Sequence, residues 1–316
     1  MLRPPAIALR AQYPAGVFQI VPDEVAREAI VFNERLETAL AALPSLHTVP
    51  PELVRAGRRA GKGIFRPPVI LDEAAWVDAG GVKLRVVRPP GEPRGVYLHI
   101  HGGGWVLGAA DLQDADLRAL AHATGLVAAS IEYRLAPEHP FPAAIHDCER
   151  AARWVVDGGL NTPAWFAIGG ESAGAHLAAL VLQRVRGFAK ANLVYGAYDL
   201  GLTPSVRRWG DRNLVLSRPI VEYFVSSFAP GRSHEDCRAP ELSPLYADLA
   251  HMPPALFTVG TLDPLVDDSL FMYERWRAAG NAAELHVWPH AVHGFNGFTL
   301  AVGRLADADQ HAWLAA

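Results

Sequence analysis

The most informative part of the sequence is residues 164–185, AWFAIGGESAGAHLAALVLQRV. Its opening run, Ala164–Gly169, is apolar and typical of a buried strand, while Ala173–Val185 is long and apolar enough for a helix. Between them lies GESAG at 170–174, a Gly-x-Ser-x-Gly motif at a strand-to-helix turn. Glycines must flank Ser172 there, because a Cβ at either position would crowd neighbouring backbone. The stretch therefore predicts a serine hydroxyl raised above the carboxyl edge of a sheet.

The same alternation of short apolar runs and longer helical patterns continues along the chain. Predicted strands span Gly95–His101, Leu126–Tyr133, Ala164–Gly169, Asn192–Tyr195, Ala255–Gly260 and Glu284–Trp288. Predicted helices span Leu112–Ala123, Pro142–Val156, Ala173–Val185, Asp267–Ala279 and Gly303–Leu314. Before them, Trp76–Arg88 predicts two strands around Gly80-Gly81 that start the sheet in antiparallel fashion. This order predicts an α/β fold with a mostly parallel central sheet covered by helices on both faces.

The composition narrows the class of protein. Half of the 316 residues are hydrophobic and 20% are charged, which excludes an intrinsically disordered chain. The net charge of −4 provides no basic field for a phosphate backbone, so no nucleic-acid partner is expected. A small, nearly neutral substrate fits this charge better.

No membrane or secretory segment is expected either. The apolar run in the first twenty residues is too short for a signal-peptide core, and nowhere are there 18 consecutive apolar residues. The two cysteines, Cys148 and Cys237, match no metal-binding spacing and are expected to be reduced, packed thiols. These features predict a soluble, cytoplasmic protein.

A second glycine-rich motif, His101-Gly-Gly-Gly104, ends the predicted strand Gly95–His101. Consecutive glycines let backbone N–H groups turn inward, where they can stabilise the oxyanion of a tetrahedral intermediate. A phosphate-binding loop is the alternative, but the Lys-Ser/Thr of a P-loop and the GxGxxG spacing of a dinucleotide fold are both missing.

A serine nucleophile needs a base and a carboxylate, which in such a sheet follow it in the order serine, acid, histidine. Asp263 follows the predicted strand Ala255–Gly260, and His293 follows Glu284–Trp288. Three residues are rivals for these roles: Asp267, Asp268 and His290. The two aspartates fall where a helix begins and are expected to favour its N-terminal dipole.

Four motifs together resemble the hormone-sensitive-lipase-like family of α/β-hydrolases, the carboxylesterases with an HGGG loop. They are HGGGW at 101–105, YRLAPEHPFPAA at 133–144, GESAG at 170–174, and DPLVDDS at 263–269 with HGF at 293–295. Their occurrence in this order, over roughly residues 76–316, is highly specific. The resemblance implies the α/β-hydrolase fold, with residues 71–316 as the catalytic domain.

The resemblance also assigns roles to individual residues. It implies Ser172 as the nucleophile, with Asp263 and His293 as its partners. The oxyanion hole that it implies consists of the N–H groups of Gly103, Gly104 and Ala173. Residues 133–144 are implied to be scaffold beside the site. Glu171 stands where many relatives have Asp, and its role is left open.

Two segments depart from the strand alternation and are expected to form a helical cap over the carboxyl edge: residues 1–70, and a second segment at 201–240. The first contains an amphipathic helix, Asp23–Leu43, which by resemblance lies over the mouth of the serine site. A cap that limits the pocket predicts acyl chains of about two to eight carbons. The basic cluster at 55–62, of Arg55, Arg58, Arg59 and Lys62, is expected to be a solvated helix face rather than an anion site.

The function predicted from all this is a serine carboxylesterase that hydrolyses small to medium esters without metal or cofactor. Two alternatives keep the same fold: an amidase or formamidase on the same triad, and a ligand-binding receptor without activity. A third, a metallohydrolase using His99 and His101, is disfavoured because no further ligand cluster accompanies them. A homodimer is compatible with the sequence, which does not determine the oligomeric state.

Overall fold

An eight-stranded sheet forms the centre of the computed structural model, which describes residues 16–316. The strands are β1 (Ala75–Asp78), β2 (Lys83–Val87), β3 (Val96–Ile100), β4 (Val127–Glu132), β5 (Phe166–Glu171), β6 (Lys190–Val194), β7 (Ala255–Leu262) and β8 (Ala283–Val292). Their order across the sheet is β1-β2-β4-β3-β5-β6-β7-β8. β2 pairs antiparallel with β1 and β4, and all other neighbours are parallel. The predicted mostly parallel sheet with an antiparallel start is confirmed.

Helices connect and cover these strands. They are α1 (Asp23–Ala41), α2 (Pro51–Arg59), α3 (Asp114–Thr124), α4 (Ala143–Val156), α5 (Ala173–Leu182), α6 (Pro204–Trp209), α7 (Arg218–Phe228), α8 (Val266–Ala278) and α9 (Ala301–Ala315). The five helices predicted between strands correspond to α3, α4, α5, α8 and α9. The sequence does not delimit α2, α6 and α7, which lie in the two segments where the alternation is lost.

Both faces of the sheet are covered, as the side chains of β3 illustrate. Val96, Leu98 and Ile100 belong to a large core on one face, whereas Tyr97 packs on the other face with residues of α3 such as Leu117. All five residues of β3 are buried. Because successive side chains of a strand point to opposite faces, this alternation requires helices on both sides.

The parallel strands bring distant parts of the chain to one edge of the sheet. β3, β5, β7 and β8 run in the same direction, so the residues that follow them meet at the same carboxyl edge. At this edge β7 and β8 shift register between Gly260 and Leu262. A Cβ on Gly260 would collide with the carbonyl oxygen of Ala291, so only glycine permits the close approach.

The N-terminal helix α1 lies against the far edge of the sheet. It packs on β8 and α9 through a stripe that includes the buried Val25, Ala29 and Leu36. The Asn33 side-chain amide also donates to the carbonyl oxygen of His290 at 2.8 Å. Arg55 of α2, by contrast, donates to the carbonyl oxygen of Val106, which directly follows the HGGGW motif. Residues 1–15 of the predicted cap segment lie outside the described residues.

The basic cluster of α2 is not a purely solvated face, so that prediction is wrong. Arg55 forms a bidentate pair with Glu138, at 2.7 and 2.9 Å, and also donates to the carbonyl oxygen of Val106. Arg59 forms a bidentate pair with Asp111 at 2.7 and 3.2 Å. These contacts attach α2 to the loops that follow β3 and β4.

Two further features bear on the chemical environment of the protein. Both cysteines, Cys148 and Cys237, are buried free thiols, and burial raises the pKa of each. Across residues 16–316 none of the helices has the length and apolar character needed to cross a bilayer.

Candidate active site

Ser172 occupies the sharp turn between β5 and α5. Its backbone has a φ of +57° and a ψ of −119°, a conformation that non-glycine residues rarely adopt and that typically marks functional sites. A Cβ on either Gly170 or Gly174 would collide with the carbonyl oxygen of Ile100 in β3. The two glycines therefore let β5 and α5 approach β3 closely enough to hold this strained turn.

The hydroxyl of Ser172 begins a chain of hydrogen bonds. Ser172 Oγ lies 2.9 Å from His293 Nε2, and His293 Nδ1 lies 2.8 Å from Asp263 Oδ2. Asp263 is fully buried and His293 is 6% exposed. The other carboxylate oxygen of Asp263 accepts a hydrogen bond from the N–H of Leu265 at 2.8 Å, which fixes the carboxylate. The structure thus brings together the three side chains that the sequence singles out.

The rival residues lie in other contacts. Asp267 accepts a hydrogen bond from the N–H of Ser205 at 2.7 Å. Asp268 accepts from the N–H groups of Tyr198 and Asp199 at 2.7 and 2.9 Å. Both carboxylates therefore anchor the segment after β6 to the start of α8 rather than touching His293.

The HGGG loop passes beside Ser172, and two of its backbone N–H groups have no hydrogen-bond acceptor within residues 16–316. Gly103 and Gly104 have φ values of +114° and +61°, a region that glycine enters without strain. Within residues 16–316, no acceptor takes a hydrogen bond from the N–H of Gly103, Gly104 or Ala173. The three N–H groups implied as an oxyanion hole are thus available to a ligand.

A buried polar network supports this loop from below. One carboxylate oxygen of Glu171 accepts the N–H of Gly102 at 2.7 Å, and the other lies 2.7 Å from His99 Nε2. His99 Nδ1 in turn lies 2.9 Å from Ser130 Oγ. Burial alone would raise the pKa of Glu171, but His99 and the Gly102 N–H outweigh it and lower the pKa below its ordinary value. The charged carboxylate next to the nucleophile therefore holds the start of the HGGG loop.

His101, the histidine of that motif, is structural in its contacts. Its Nδ1 donates to the carbonyl oxygen of Gly102 at 2.9 Å, and its ring stacks on Tyr133 at 4.2 Å. Burial lowers its pKa to about 4, so the ring is neutral at ordinary pH. The Tyr133 hydroxyl donates to the His101 carbonyl oxygen at 2.8 Å. No group of three His, Cys, Asp or Glu side chains in the described part of the chain is placed to hold a metal ion.

Ser172 opens into a narrow apolar pocket with a free volume of about 20 Å³. The pocket is lined by Gly104, Trp105, Ala173, Ala197, Leu216, Val221, Phe224 and Leu265. Phe224 and Val221 belong to α7, from the second predicted cap segment. A Cβ on Gly104 would overlap the Phe224 ring, so this aromatic side chain lies directly against the HGGG loop.

Several residues that shape the site are not identified from the sequence. Tyr195, which follows β6, places its ring 4.8 Å from that of His293. His176, one turn after Ser172, accepts a hydrogen bond from Trp105 Nε1 at 3.1 Å and so orients the end of the HGGG loop. The carboxyl-edge position of Tyr195 is a signal that could have identified it, whereas nothing local in sequence marks Phe224.

Comparison with known proteins agrees with this geometry. Residues 97–297 match a family described by the alpha/beta hydrolase fold. Carboxylesterase NlhH of Mycobacterium tuberculosis is 34% identical over 290 residues, covering 86% of each chain. Ethyl acetate hydrolase of Pseudomonas putida is 31% identical over 286 residues, covering 77% of this chain and 89% of the relative.

Solved structures extend the likeness to three dimensions. A hormone-sensitive lipase from a metagenome library superposes with a TM-score of 0.82 at 26% identity, covering 91% of this chain and 97% of the other. The family match at residues 97–297 spans the positions of all four motifs quoted above. The chain belongs to the hormone-sensitive-lipase-like family of α/β-hydrolases.

Proposed function

We propose that this protein is a serine carboxylesterase that hydrolyses short-chain esters, with Ser172, His293 and Asp263 as its catalytic residues. The observation that carries the proposal is the Ser172–His293–Asp263 hydrogen-bonded chain beside three N–H groups that have no acceptor among residues 16–316. This combination is what acyl transfer through a serine requires. The esterase names of the relatives support the same chemistry.

In the acylation step, neutral His293 donates from Nδ1 to Asp263 and accepts the Ser172 hydroxyl proton at Nε2. Ser172 Oγ bonds to the ester carbonyl carbon, and the carbonyl π electrons move to its oxygen. The N–H groups of Gly103, Gly104 and Ala173 stabilise that oxyanion. Collapse of the tetrahedral intermediate breaks the bond between the carbonyl carbon and the alcohol oxygen. The alcohol leaves with the proton from His293.

Deacylation repeats the sequence with water as the nucleophile. His293 takes a proton from the water as its oxygen attacks the acyl carbon, and the same N–H groups hold the second oxyanion. Collapse releases the carboxylic acid and returns the proton to Ser172 Oγ. Asp263 stabilises the imidazolium in both steps without itself taking the proton.

The pocket favours small substrates. A free volume of about 20 Å³ beside Ser172 accommodates roughly one water-sized group. We therefore place the preferred acyl chain at the short end of the expected range of about two to eight carbons, since longer chains require Phe224 to move. Within the segment 201–240, Leu216 and the α7 residues Val221 and Phe224 line this pocket.

The alternatives differ from this proposal in measurable ways. An amidase or formamidase would use the same residues, and the ratio of amide to ester turnover distinguishes it. A non-catalytic receptor has no need for a base hydrogen-bonded to the serine, whereas His293 is 2.9 Å from Ser172 Oγ here. That contact favours an enzyme over a receptor.

We further propose a cytoplasmic location, on the grounds that two buried free thiols suit a reducing compartment. The same conditions keep Cys148 and Cys237 reduced without a special mechanism. Expression of a fluorescent fusion followed by fractionation tests the location, and sedimentation velocity tests whether a homodimer forms.

The decisive experiment replaces the nucleophile. Ser172→Ala should lower kcat on p-nitrophenyl acetate by up to about a millionfold, because removing one triad member costs nearly as much as removing all three. Ser226→Ala, an exposed serine on α7, is the matched control. A phosphonate inhibitor should add one covalent mass to the wild type and none to Ser172→Ala. Retention of more than about a thousandth of kcat would refute the assignment.

A further inference from the structure

Arg58 on α2 is a cation beside the site without an anionic partner. Its neighbours Arg55 and Arg59 are both paired with carboxylates. Among residues 16–316, no oxygen accepts a hydrogen bond from Arg58, and the first fifteen residues contain no Asp or Glu. A guanidinium carries five donors and a permanent charge. Half burying it without an acceptor costs free energy, which a bound anion would recover.

The position of α2 directs this residue toward the HGGG loop. One helical turn before Arg58, Arg55 donates to the carbonyl oxygens of Val106 and Ala136, each at 2.8 Å. Val106 directly follows the HGGGW motif. Residues three apart share one face of a helix, so Arg58 lies on the face that α2 presents to the site.

The aromatic side chain of Phe65 packs against the Arg58 guanidinium. Arg58 Cζ lies 5.1 Å from the centre of the Phe65 ring, within the range of a cation–π interaction. Phe65 itself packs on Gly294, where a Cβ would come within 3.0 Å of its ring. Gly294 immediately follows His293. Phe65 therefore positions Arg58 next to the loop that carries the base.

The electrostatic surroundings agree with this placement. Burial lowers the pKa of Arg58, and the nearby negative charge of Glu171 acts in the opposite direction. The Glu171 carboxylate is already engaged by Gly102 and by His99, each at 2.7 Å. Glu171 attracts the guanidinium without accepting its hydrogen bonds. Among residues 16–316, the donors of Arg58 thus have no acceptor.

Building on the proposed esterase activity of Ser172, we propose that Arg58 binds a carboxylate carried by the substrate, so that the enzyme prefers ester acids to neutral esters of equal length. A guanidinium matches the two oxygens of a carboxylate with parallel hydrogen bonds. Because Arg55 and Arg59 are neutralised by carboxylates, Arg58 is the guanidinium of α2 that has no acceptor among residues 16–316, and its one charge suits a monoanion. The pocket at Phe224 is apolar and takes the uncharged end.

Two pairs of esters of matched length test this, with hydrolysis followed in a pH-stat. Monoethyl succinate against ethyl pentanoate places the carboxylate in the acyl part. 3-Acetoxypropanoate against butyl acetate places it in the alcohol part. For each pair the readout is the ratio of kcat/KM for the charged ester to that for the neutral ester, in the wild type, Arg58→Gln, Arg58→Lys and the control Arg59→Gln.

In Arg58→Gln the ratio should fall about tenfold or more for at least one pair, the loss typical of a hydrogen bond to a charged group. A fall for one pair alone locates the carboxylate in that part of the ester. Arg58→Lys should give an intermediate ratio, because it keeps the charge without the fork. Arg59→Gln should keep the wild-type ratio.

Unchanged ratios for both pairs in Arg58→Gln would overturn the inference. If that variant does not fold, Arg58→Lys and the wild type at rising salt replace it, and ratios that respond to neither would overturn the inference equally. Wild-type inactivity on all four esters would overturn the proposed function together with this inference. Activity with an unchanged ratio would overturn this inference alone.

Discussion

At the scale of single residues, the site depends on which of several chemically equal groups the fold brings to His293. Asp263 and Asp267 are four residues apart, and both are buried carboxylates. Only Asp263 contacts the His293 ring. Asp267 accepts a hydrogen bond from Ser205 and lies 3.5 Å from Arg208. The two positions therefore separate a role in orienting the base from a role in folding.

Replacing these two carboxylates tests that separation. Asp263→Asn should lower kcat by about ten-thousandfold, since the amide favours the wrong tautomer of His293. Asp267→Asn should chiefly lower the melting temperature, because it weakens the anchor of the segment after β6. Both are measured from kcat on p-nitrophenyl acetate and from thermal unfolding. If Asp267→Asn were the more damaging to kcat, Asp263 would not be the triad acid.

The role of Glu171, too, follows from the groups that it contacts rather than from its residue type. Its carboxylate accepts the N–H of Gly102 and contacts the ring of His99, so we propose that it acts on an oxyanion through the position of the HGGG loop. A positioning residue of this kind should affect the transition state more than substrate binding.

Glu171→Gln should lower kcat by up to about a hundredfold while KM changes little, because misplaced donors act mainly on the oxyanion. Glu132→Gln is the matched control, since Glu132 also ends a strand and accepts a backbone N–H, that of Ala110 at 2.6 Å. A rise in KM at constant kcat would instead assign Glu171 to substrate binding.

At the scale of elements, α7 determines the size of the pocket. Phe224 fills the space in front of Gly104, and Val221 from the previous turn lines the same pocket. An aromatic side chain from α7 thus bounds the pocket without belonging to the sheet that carries Ser172.

Phe224→Ala should move the acyl preference toward longer chains. Each added methylene that finds room contributes about 0.8 kcal/mol of burial, or roughly a fourfold gain in kcat/KM. The measurement compares p-nitrophenyl esters of increasing acyl length in the variant, the wild type and Phe271→Ala, whose phenyl ring is 39% exposed on α8. An unchanged chain-length profile in Phe224→Ala would show that another residue limits the pocket.

At the scale of the whole molecule, global stability depends on ionisable groups between the helical layers and the sheet. Burial, together with the neighbouring Asp116 carboxylate, raises the pKa of Asp307 on α9 to about 7. Between about pH 4, near the ordinary value for Asp, and pH 7, the folded protein therefore binds a proton that the unfolded chain does not. This contribution to the free energy of unfolding is complete below about pH 4 and is lost as the pH rises through 7.

Asp307→Asn should remove that pH dependence. The free energy of unfolding of the wild type minus that of the variant should fall with pH, by at most about 1.4 kcal/mol per pH unit, and become constant above about pH 8. Urea titrations at pH 5, 6, 7 and 8 measure this difference. Asp248→Asn, an exposed carboxylate, should give a difference that is independent of pH over this range.

Much of this protein could be predicted from the sequence because its signals are local. The GESAG motif lies within one strand-turn-helix unit, and the period of the apolar runs marks each strand of the parallel sheet. Strand direction then brings Asp263 and His293 to the same edge as Ser172, whatever the packing details. The fold, the family and the candidate catalytic residues were therefore determined by the sequence itself.

Other features depend on contacts between segments far apart in the chain. No periodic pattern or motif in the sequence marks three of these features. They are the pocket wall formed by Phe224, the ring of Tyr195 beside His293, and the guanidinium of Arg58, which has no acceptor among residues 16–316. The basic cluster on α2 has the pattern of a solvated face, yet Arg55 is bound by Glu138, 83 residues away. Only the tertiary structure decided these features, because side chains from the cap meet the site through packing and ion pairs that no local pattern encodes.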